Sequence, residues 1–319
     1  MLRMIPVTLR NTSGYQVIPA RTIKRWVAPT VLELARRKKV FADKLVKHNK
    51  RSGFIDWNHD AEIYSFGKRL GEDFETNLLK RSFTQRSYVI QEEMKLEKLG
   101  VEKSDFNLLD NRDLADKGLK IAEIYISAFL KYHLPNYPHE GLSAIQSYLL
   151  STQKLAHVSL NLGTKDIILA AEYPPNENSL ATTLLAIIGA LEESCVGDNL
   201  ERPYNFIRDF IVTQLNQVDV NEIWNINEPF EYLKDVLSKQ KNVKIEPRII
   251  GEFSANYILF GCRVGIYERK TKRCLGTGYG ETYQNGIQTA SIDALSKIFQ
   301  TSNLRPFDYA ICAQQLFGK

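Results

Sequence analysis

The chain has 319 residues, 44% of them hydrophobic and 25% charged, and a formal net charge of +5. That profile excludes an intrinsically disordered polymer, and the length gives room for roughly two domains with sizeable cores. No uninterrupted apolar run reaches the ~20 residues that a spanning helix needs, and the cysteines at 195, 262, 274 and 312 lack the spacing of a zinc site or a disulfide framework, so a reducing compartment fits.

The charge is divided unevenly. Residues 1–51 hold thirteen Lys/Arg against Glu33 and Asp43, a net of +11, which leaves −6 on the remainder. Residues 1–30 contain Arg3, Arg10, Arg21, Lys24 and Arg25, several Ser and Thr, and no acid. Their apolar stretches are too short and interrupted for a secretory signal. The composition predicts a mitochondrial transit peptide, with a plain basic tail as the alternative. Residues 31–60 follow as a basic extension. Within ELARRKKVFADKLVKHNKR, the cations Arg36, Arg37, Lys38, Lys39, Lys44, Lys47, Lys50 and Arg51 interleave with Leu34, Val40, Phe41, Leu45 and Val46. That interleaving suits either a segment lying on a polyanion such as RNA or a solvated basic helix.

Residues 61–220 read as an all-α domain. Leu142, Ile145, Leu149 and Leu150 keep helical spacing, and a second short helix carries Leu155, Val158 and Leu162 and ends at Gly163. The stretch 114–130 is apolar nearly all round, with Leu119, Ile121, Ile124, Ile126, Phe129 and Leu130, which predicts a helix at the centre of a bundle. The segment 182–194 reads the same way, and Pro203 opens an amphipathic helix through Leu215. The pattern then changes. Over 226–301 a helix (229–240) precedes strands at 244–250, 257–268 and 274–281, and Ile287, Ala290, Ser291, Ala294, Leu295 and Ile298 mark a closing core-facing helix. The order αβββα is that of a double-stranded RNA-binding domain. Gly276, Gly278 and Gly280 are read as the turn ahead of the last helix, and 302–319 as a C-terminal tail.

NRDLADKGLKIA (111–122) places Asp113 and Asp116 at a helix start, where carboxylates favour the positive end of the dipole without any catalytic role. The histidines at 48, 59, 133, 139 and 157 have no ligand spacing, and His59 is read as a surface residue.

Several segments resemble the ribonuclease III family. LLKRSFTQRSY (78–88) is similar to its opening motif, with Gln85 in place of a histidine. PNYPHEGLSAIQSYLLSTQKLAHVSLNLG (135–163) resembles its Glu-Gly-x-Leu and Leu-Gly run through Glu140, Gly141, Leu142, Leu155, Ala156, Leu162 and Gly163. LAIIGAL (185–191) resembles its Glu-Ala-Leu-Ile-Gly-Ala helix. Asn111, Leu114 and Gly118 set the register of the family signature on 111–122. In that register the resemblance implies that the four metal-binding carboxylates fall on Ala115, Leu119, Thr182 and Leu185, so no metal and no cofactor are expected. In the second domain, GYGETYQNG (278–286) keeps the glycines and Thr282, but Tyr283 and Gln284 stand where the family carries lysines, and GEFSANY (251–257) is read as the loop that would reach a minor groove. The remaining RNA-binding candidates are Lys239, Lys241 and Lys244, and Arg269, Lys270, Lys272 and Arg273 in the turn between strands, with a solvated basic face as the alternative.

DWNHDAEIYSFGKRL (56–70), through Trp57, Ala61, Glu62, Ile63, Phe66, Gly67, Arg69 and Leu70, narrows the resemblance to the ribonuclease III-like proteins of the mitochondrial large ribosomal subunit. This implies an α+β chain, an all-α ribonuclease III-like domain followed by an αβββα double-stranded RNA-binding-like domain. It further implies a non-catalytic structural component in the mitochondrial matrix, with large-subunit ribosomal RNA, other mitochondrial ribosomal proteins and a second ribonuclease III-like chain as expected partners. The alternatives are an RNA-processing or RNA-stability factor outside the ribosome, or a residual endonuclease.

Overall fold

The computed structural model describes residues 29–37, 39, 51–99, 108–195, 200–216, 218–241, 243–255, 259–302 and 307–317; for 240, 241, 253–255, 259 and 260 it describes only the backbone. The chain divides into units of residues 1–55 and 56–319. In the first unit, residues 29–37 are helical and exposed, and Arg51–Gly53 forms a 3-10 turn. Most of the expected transit peptide, together with Lys38, Lys44, Lys47 and Lys50, lies outside the described residues.

The second unit opens with helices α1 (His59–Leu70), α2 (Thr76–Ser82), α3 (Arg86–Lys98), α4 (Arg112–His133), α5 (His139–Leu149), α6 (Thr152–Asn161), α7 (Glu177–Glu193) and α8 (Glu201–Phe210). Helices α4 and α7 form the centre, and they approach closely because each presents a glycine to the other's backbone. A Cβ on Gly118 would lie 2.0 Å from Leu185 O, and one on Gly189 would lie 2.1 Å from Leu114 O. Around this crossing α4 buries Ile121, Ala122, Tyr125, Ile126, Phe129 and Leu130, and α7 buries Leu180, Leu184, Ile187, Ile188 and Leu191. Helix α4 is nonetheless amphipathic rather than apolar all round. Ile124 is 54% exposed and Leu119 half-buried, because no described element covers that side. Gly163, at φ 79°, ends α6 in the left-handed conformation expected of it.

A short helix α9 (Val220–Ile223) leads to α10 (Pro229–Lys241), strands β1 (Ile245–Ala255), β2 (Leu259–Glu268) and β3 (Cys274–Gly280), and helix α11 (Tyr283–Ile298). The sheet is antiparallel in the order β1-β2-β3. One face packs on the helices, burying Cys262, Val264 and Ile266 with Ala290, Ala294 and Leu295, and Leu233 and Leu237 of α10 join the core. Gly276 and Gly278 belong to β3 rather than to a turn: a Cβ on either would strike the α11 backbone at Ala290 within 2.6 Å. Their side of β3 is therefore bare so that α11 can sit on it. The run 251–255, read as loop, is likewise strand. Its Glu-Phe-Ser-Ala alternation is short and follows a glycine, which reads as a break, and its ladder partners on β2, Arg263 to Leu259, supply the order.

Unit 56–319 joins its two parts through an aromatic cluster. Trp224 packs edge-on against Tyr137 (5.7 Å between ring centres) and Tyr232 (5.5 Å), and Phe299 meets Tyr137 at 5.6 Å. Burial pushes the Tyr137 hydroxyl up to about 12. Gly141 makes room here, since a Cβ would fall 2.3 Å from the Tyr137 ring. Thr301 Oγ1 donates to Asn221 Oδ1 at 2.7 Å across the same joint.

The chain then returns to the helical part. Phe307 and Tyr309 pack on Phe129 at 6.0 and 6.1 Å. The Asp308 N–H reaches His133 Nε2 at 3.3 Å. A last helix, α12 (Ala313–Phe317), lies against α4 and α8, with Phe317 stacked on Tyr204 at 5.1 Å.

Candidate nucleic-acid interface

The positions that the ribonuclease III resemblance assigns to metal ligands lie on α4 and α7. Ala115 is 6% exposed and sits in a small apolar cluster with Leu114, Ala186 and Ala190. Leu119, Thr182 and Leu185 are half-buried, so only the first of the four is core. The Thr182 hydroxyl donates to Asn178 O at 2.7 Å. A magnesium ion needs converging hard oxygens. Three alkyl groups and one committed hydroxyl do not fit it. Among the described residues, no group of three His, Cys, Asp or Glu is placed to hold a metal.

Asp113 has a mechanical partner. Its Oδ2 accepts from Arg81 at 2.7 Å, while the Arg81 Nε donates to Asp110 O at 2.8 Å, so this arginine fastens the start of α4 to α2. Lys117 pairs with Glu193 across the α4–α7 crossing, which raises the lysine pKa.

Beside these positions opens a cleft of about 390 Å³ at the N-terminal turns of both helices, lined by Gln85, Arg86, Asn111, Arg112, Asn178 and Thr182 among others. Gln85 is buried and donates to Ser179 O (3.0 Å) and Thr183 Oγ1 (2.8 Å), tying α3 to α7. Asn111 donates to Ser82 O at 3.1 Å, and its buried Oδ1 has no hydrogen-bond partner among the described residues. His59, expected at the surface, is half-buried with Nε2 3.1 Å from Ile167 O, and burial lowers its pKa.

The RNA-binding candidates separate into groups. Arg36 and Arg37 are exposed but turn towards Glu33, at 3.7 and 3.1 Å. Lys39, Arg51 and Lys239 are exposed, and the Lys241 side chain lies outside what is described. The other cations are drawn together. The Arg269 N–H donates to Lys244 O at 2.9 Å, which brings the start of β1 against the β2–β3 turn. Lys272 in that turn takes φ 57°. Lys244, Arg269, Lys270, Lys272 and Arg273 are all exposed and crowd one end of the sheet. The start of α11 is at the other end of β3. There Thr282 caps the helix, accepting from Asn285 N at 3.2 Å, and the Tyr283 hydroxyl donates to Pro247 O at 3.3 Å.

The residues that motif reading passed over line the sheet's open face. Because Cys262, Val264 and Ile266 point to the helices, Arg263, Gly265 and Tyr267 point away. Arg263 lies opposite Tyr279, with its guanidinium 5.3 Å from that ring centre. Arg248 lies 5.8 Å from the Tyr267 ring and pairs with Glu246. Ile250 covers Gly265 between them. Period-two alternation through CRVGIY held the signal.

The model of the large ribosomal subunit protein mL44 endonuclease domain matches residues 58–191, and that of the MRPL44 dsRNA-binding domain matches 224–317. Large ribosomal subunit protein mL44 of Caenorhabditis elegans is 29% identical over 304 residues, covering 92% of this chain and 72% of that protein. Ribonuclease 3 of the same organism is 29% identical over 170 residues, 52% of this chain but 14% of that one. Among solved structures, the nuclease domain of ribonuclease III from Campylobacter jejuni is 20% identical, covering 49% of this chain and 98% of its own, with a TM-score of 0.39. Dicer from Pichia stipitis is 17% identical, covering 57% of this chain and 85% of its own, at 0.32. Two family models of one ribosomal protein, in order along most of the described chain, identify its lineage: the chain belongs to the mL44 family of large ribosomal subunit proteins.

Proposed function

We propose that this chain is a structural constituent of the mitochondrial large ribosomal subunit, working in the matrix, where it binds ribosomal RNA and neighbouring ribosomal proteins and supports assembly without cleaving RNA. The observation that carries the reading is the pair of mL44 domain matches, at 58–191 and 224–317. The apolar side chains at Ala115, Leu119 and Leu185 support the absence of nuclease chemistry. The cations gathered at Lys244 and Arg269–Arg273 support RNA contact at that end of the sheet, since each phosphate neutralised releases counterions. On this reading Arg36, Arg37, Lys38, Lys39, Lys44, Lys47, Lys50 and Arg51 add a second basic contact, and a further ribonuclease III-like chain is a candidate neighbour.

Sedimentation of mitochondrial extract tests the assignment. The chain is expected to co-migrate with the large subunit at moderate salt, and free protein at the top of the gradient refutes it. Purified protein with magnesium is expected to leave duplex RNA intact, and cleavage abolished by Asp113→Ala with Asp116→Ala would overturn the non-catalytic part.

A further inference from the structure

We infer that the open face of the three-stranded sheet is a stacking platform for unpaired RNA bases, with the basic β2–β3 turn holding the adjoining phosphates. The inference deepens the RNA-binding reading above and rests on it. A double-stranded RNA-binding domain meets a duplex through shape and phosphate contacts. Here Tyr283 and Gln284 at the start of α11 bring no cation, and Glu281 precedes them. Affinity for a duplex at that end is correspondingly low, and the cations lie elsewhere.

What the sheet offers instead is suited to single strands. Tyr279 is 57% exposed, and Arg263 beside it is exposed with its guanidinium over the ring. Tyr267 carries Arg248 in the same manner at the other side of Ile250, itself 44% exposed. Aromatic rings and guanidinium planes are the two surfaces on which a base stacks regardless of its sequence. Arg248 has its charge answered by Glu246, whereas Arg263 forms no ion pair among the described residues. The face therefore pairs flat rings with a spare positive charge. Along β2 it runs from Arg263 through Tyr267 to Arg269, Lys270, Lys272 and Arg273. A strand laid on it would present bases to the sheet and phosphates to the turn. Charge complementarity favours RNA over a protein partner as the occupant.

Fluorescence anisotropy on the full chain tests this with a labelled twelve-nucleotide oligouridylate and a blunt duplex RNA. The single strand is expected to bind more tightly than the duplex. Tyr279→Ala and Arg263→Ala each lower single-strand affinity at least ~5-fold, the lower bound for loss of one stacked base. Tyr279→Trp retains binding, which separates stacking from fold, and melting curves of these exposed-site variants stay at the wild-type value. Lys270→Ala with Lys272→Ala reduces the salt slope by roughly one to two units on either RNA. Face variants that bind oligouridylate like wild type, while the turn variant weakens, overturn the platform and leave ribosomal RNA binding standing. No binding of either RNA also overturns it, and co-sedimentation with the large subunit then decides the wider reading independently.

Discussion

The α4–α7 crossing makes a sharp prediction about Gly118. In Gly118→Ala the new methyl would stand 2.0 Å from Leu185 O, 2.9 Å from its carbonyl carbon and 3.0 Å from Gly189 N. All three are backbone atoms of a buried helix, so no side chain can swing aside. A relaxed C···O contact is about 3.3 Å, so the helices part by roughly 1 Å. Overpacking of this kind costs ~1–3 kcal/mol, and parting also loosens Leu114, Ala186 and Ala190, which places the change at the upper end. Replacing a mid-helix glycine by alanine returns ~1 kcal/mol of helix propensity. The net loss is about 2 kcal/mol, a fall in Tm of roughly 4–8 °C for a unit of this size. Gly67→Ala is the internal control. Its Cβ would meet side-chain carbons at 3.5 and 3.6 Å and the Glu72 carbonyl oxygen at 3.9 Å, all ordinary van der Waals contacts, so propensity dominates and stability holds or rises by up to ~1 kcal/mol. Thermal melts followed by circular dichroism measure both. A Gly118→Ala protein that melts at or above wild type, or shifts of equal sign and size in the two variants, would refute the packing argument.

Gln85→Leu keeps the bulk but removes the donors to Ser179 O and Thr183 Oγ1, and denaturant titration is expected to show a loss of ~1 kcal/mol. Deleting residues 307–319 strips Ile311, Phe307 and Tyr309 from the helical part. A loss of about 3 kcal/mol is expected, with protease cutting between the two parts, and a truncated chain as stable and resistant as the full one contradicts it. His59 has its pKa held below the usual 6.5 by burial, so the unfolded chain binds the proton more readily. Its contribution is complete above pH 6.5 and fades as pH falls through the lowered folded-state value, and His59→Gln flattens that limb of a stability–pH series. Asp60, lowered by its bond to Lys80, acts in the same direction but only near and below 3.8, so the two windows separate.

What could be read from the chain beforehand was what periodicity and local chemistry carry. The helix through Ile121, Ile126 and Phe129, the stop at Gly163 and the αβββα order all follow from patterns local in the chain. Gly118 was legible as necessary through its place in the signature, though its reason, a carbonyl on another helix, was not. Contacts made between distant segments left no such mark. Arg81 meets Asp113, and Gln85 meets Thr183, through side chains whose types are ordinary on any surface. Ile124 read as core because hydrophobicity alone cannot tell a covered face from an uncovered one. The segment around Phe307 and Tyr309 lacks a period, so its docking on Phe129 could be seen only in three dimensions. For the candidate site, Asn111, Leu114 and Gly118 sufficed to set the register that puts Ala115, Leu119, Thr182 and Leu185 at the expected acid positions, whereas the gathering of Lys244 with Arg269–Arg273 depended on one backbone hydrogen bond.

The return of residues 307–317 to α4 and α8, together with the Trp224 cluster, turns the two parts into a set square rather than a pair of tethered tools. A contact made at the sheet end then dictates where the outward surfaces of the helical part fall, without the entropic search that a flexible tether imposes. For a component of a large assembly, one docking event can thereby deliver a second surface to its address in a single step. Damage to the joint, at Tyr137 or Phe299, would accordingly spare the surface at the sheet end while spoiling the aim of the rest of the molecule.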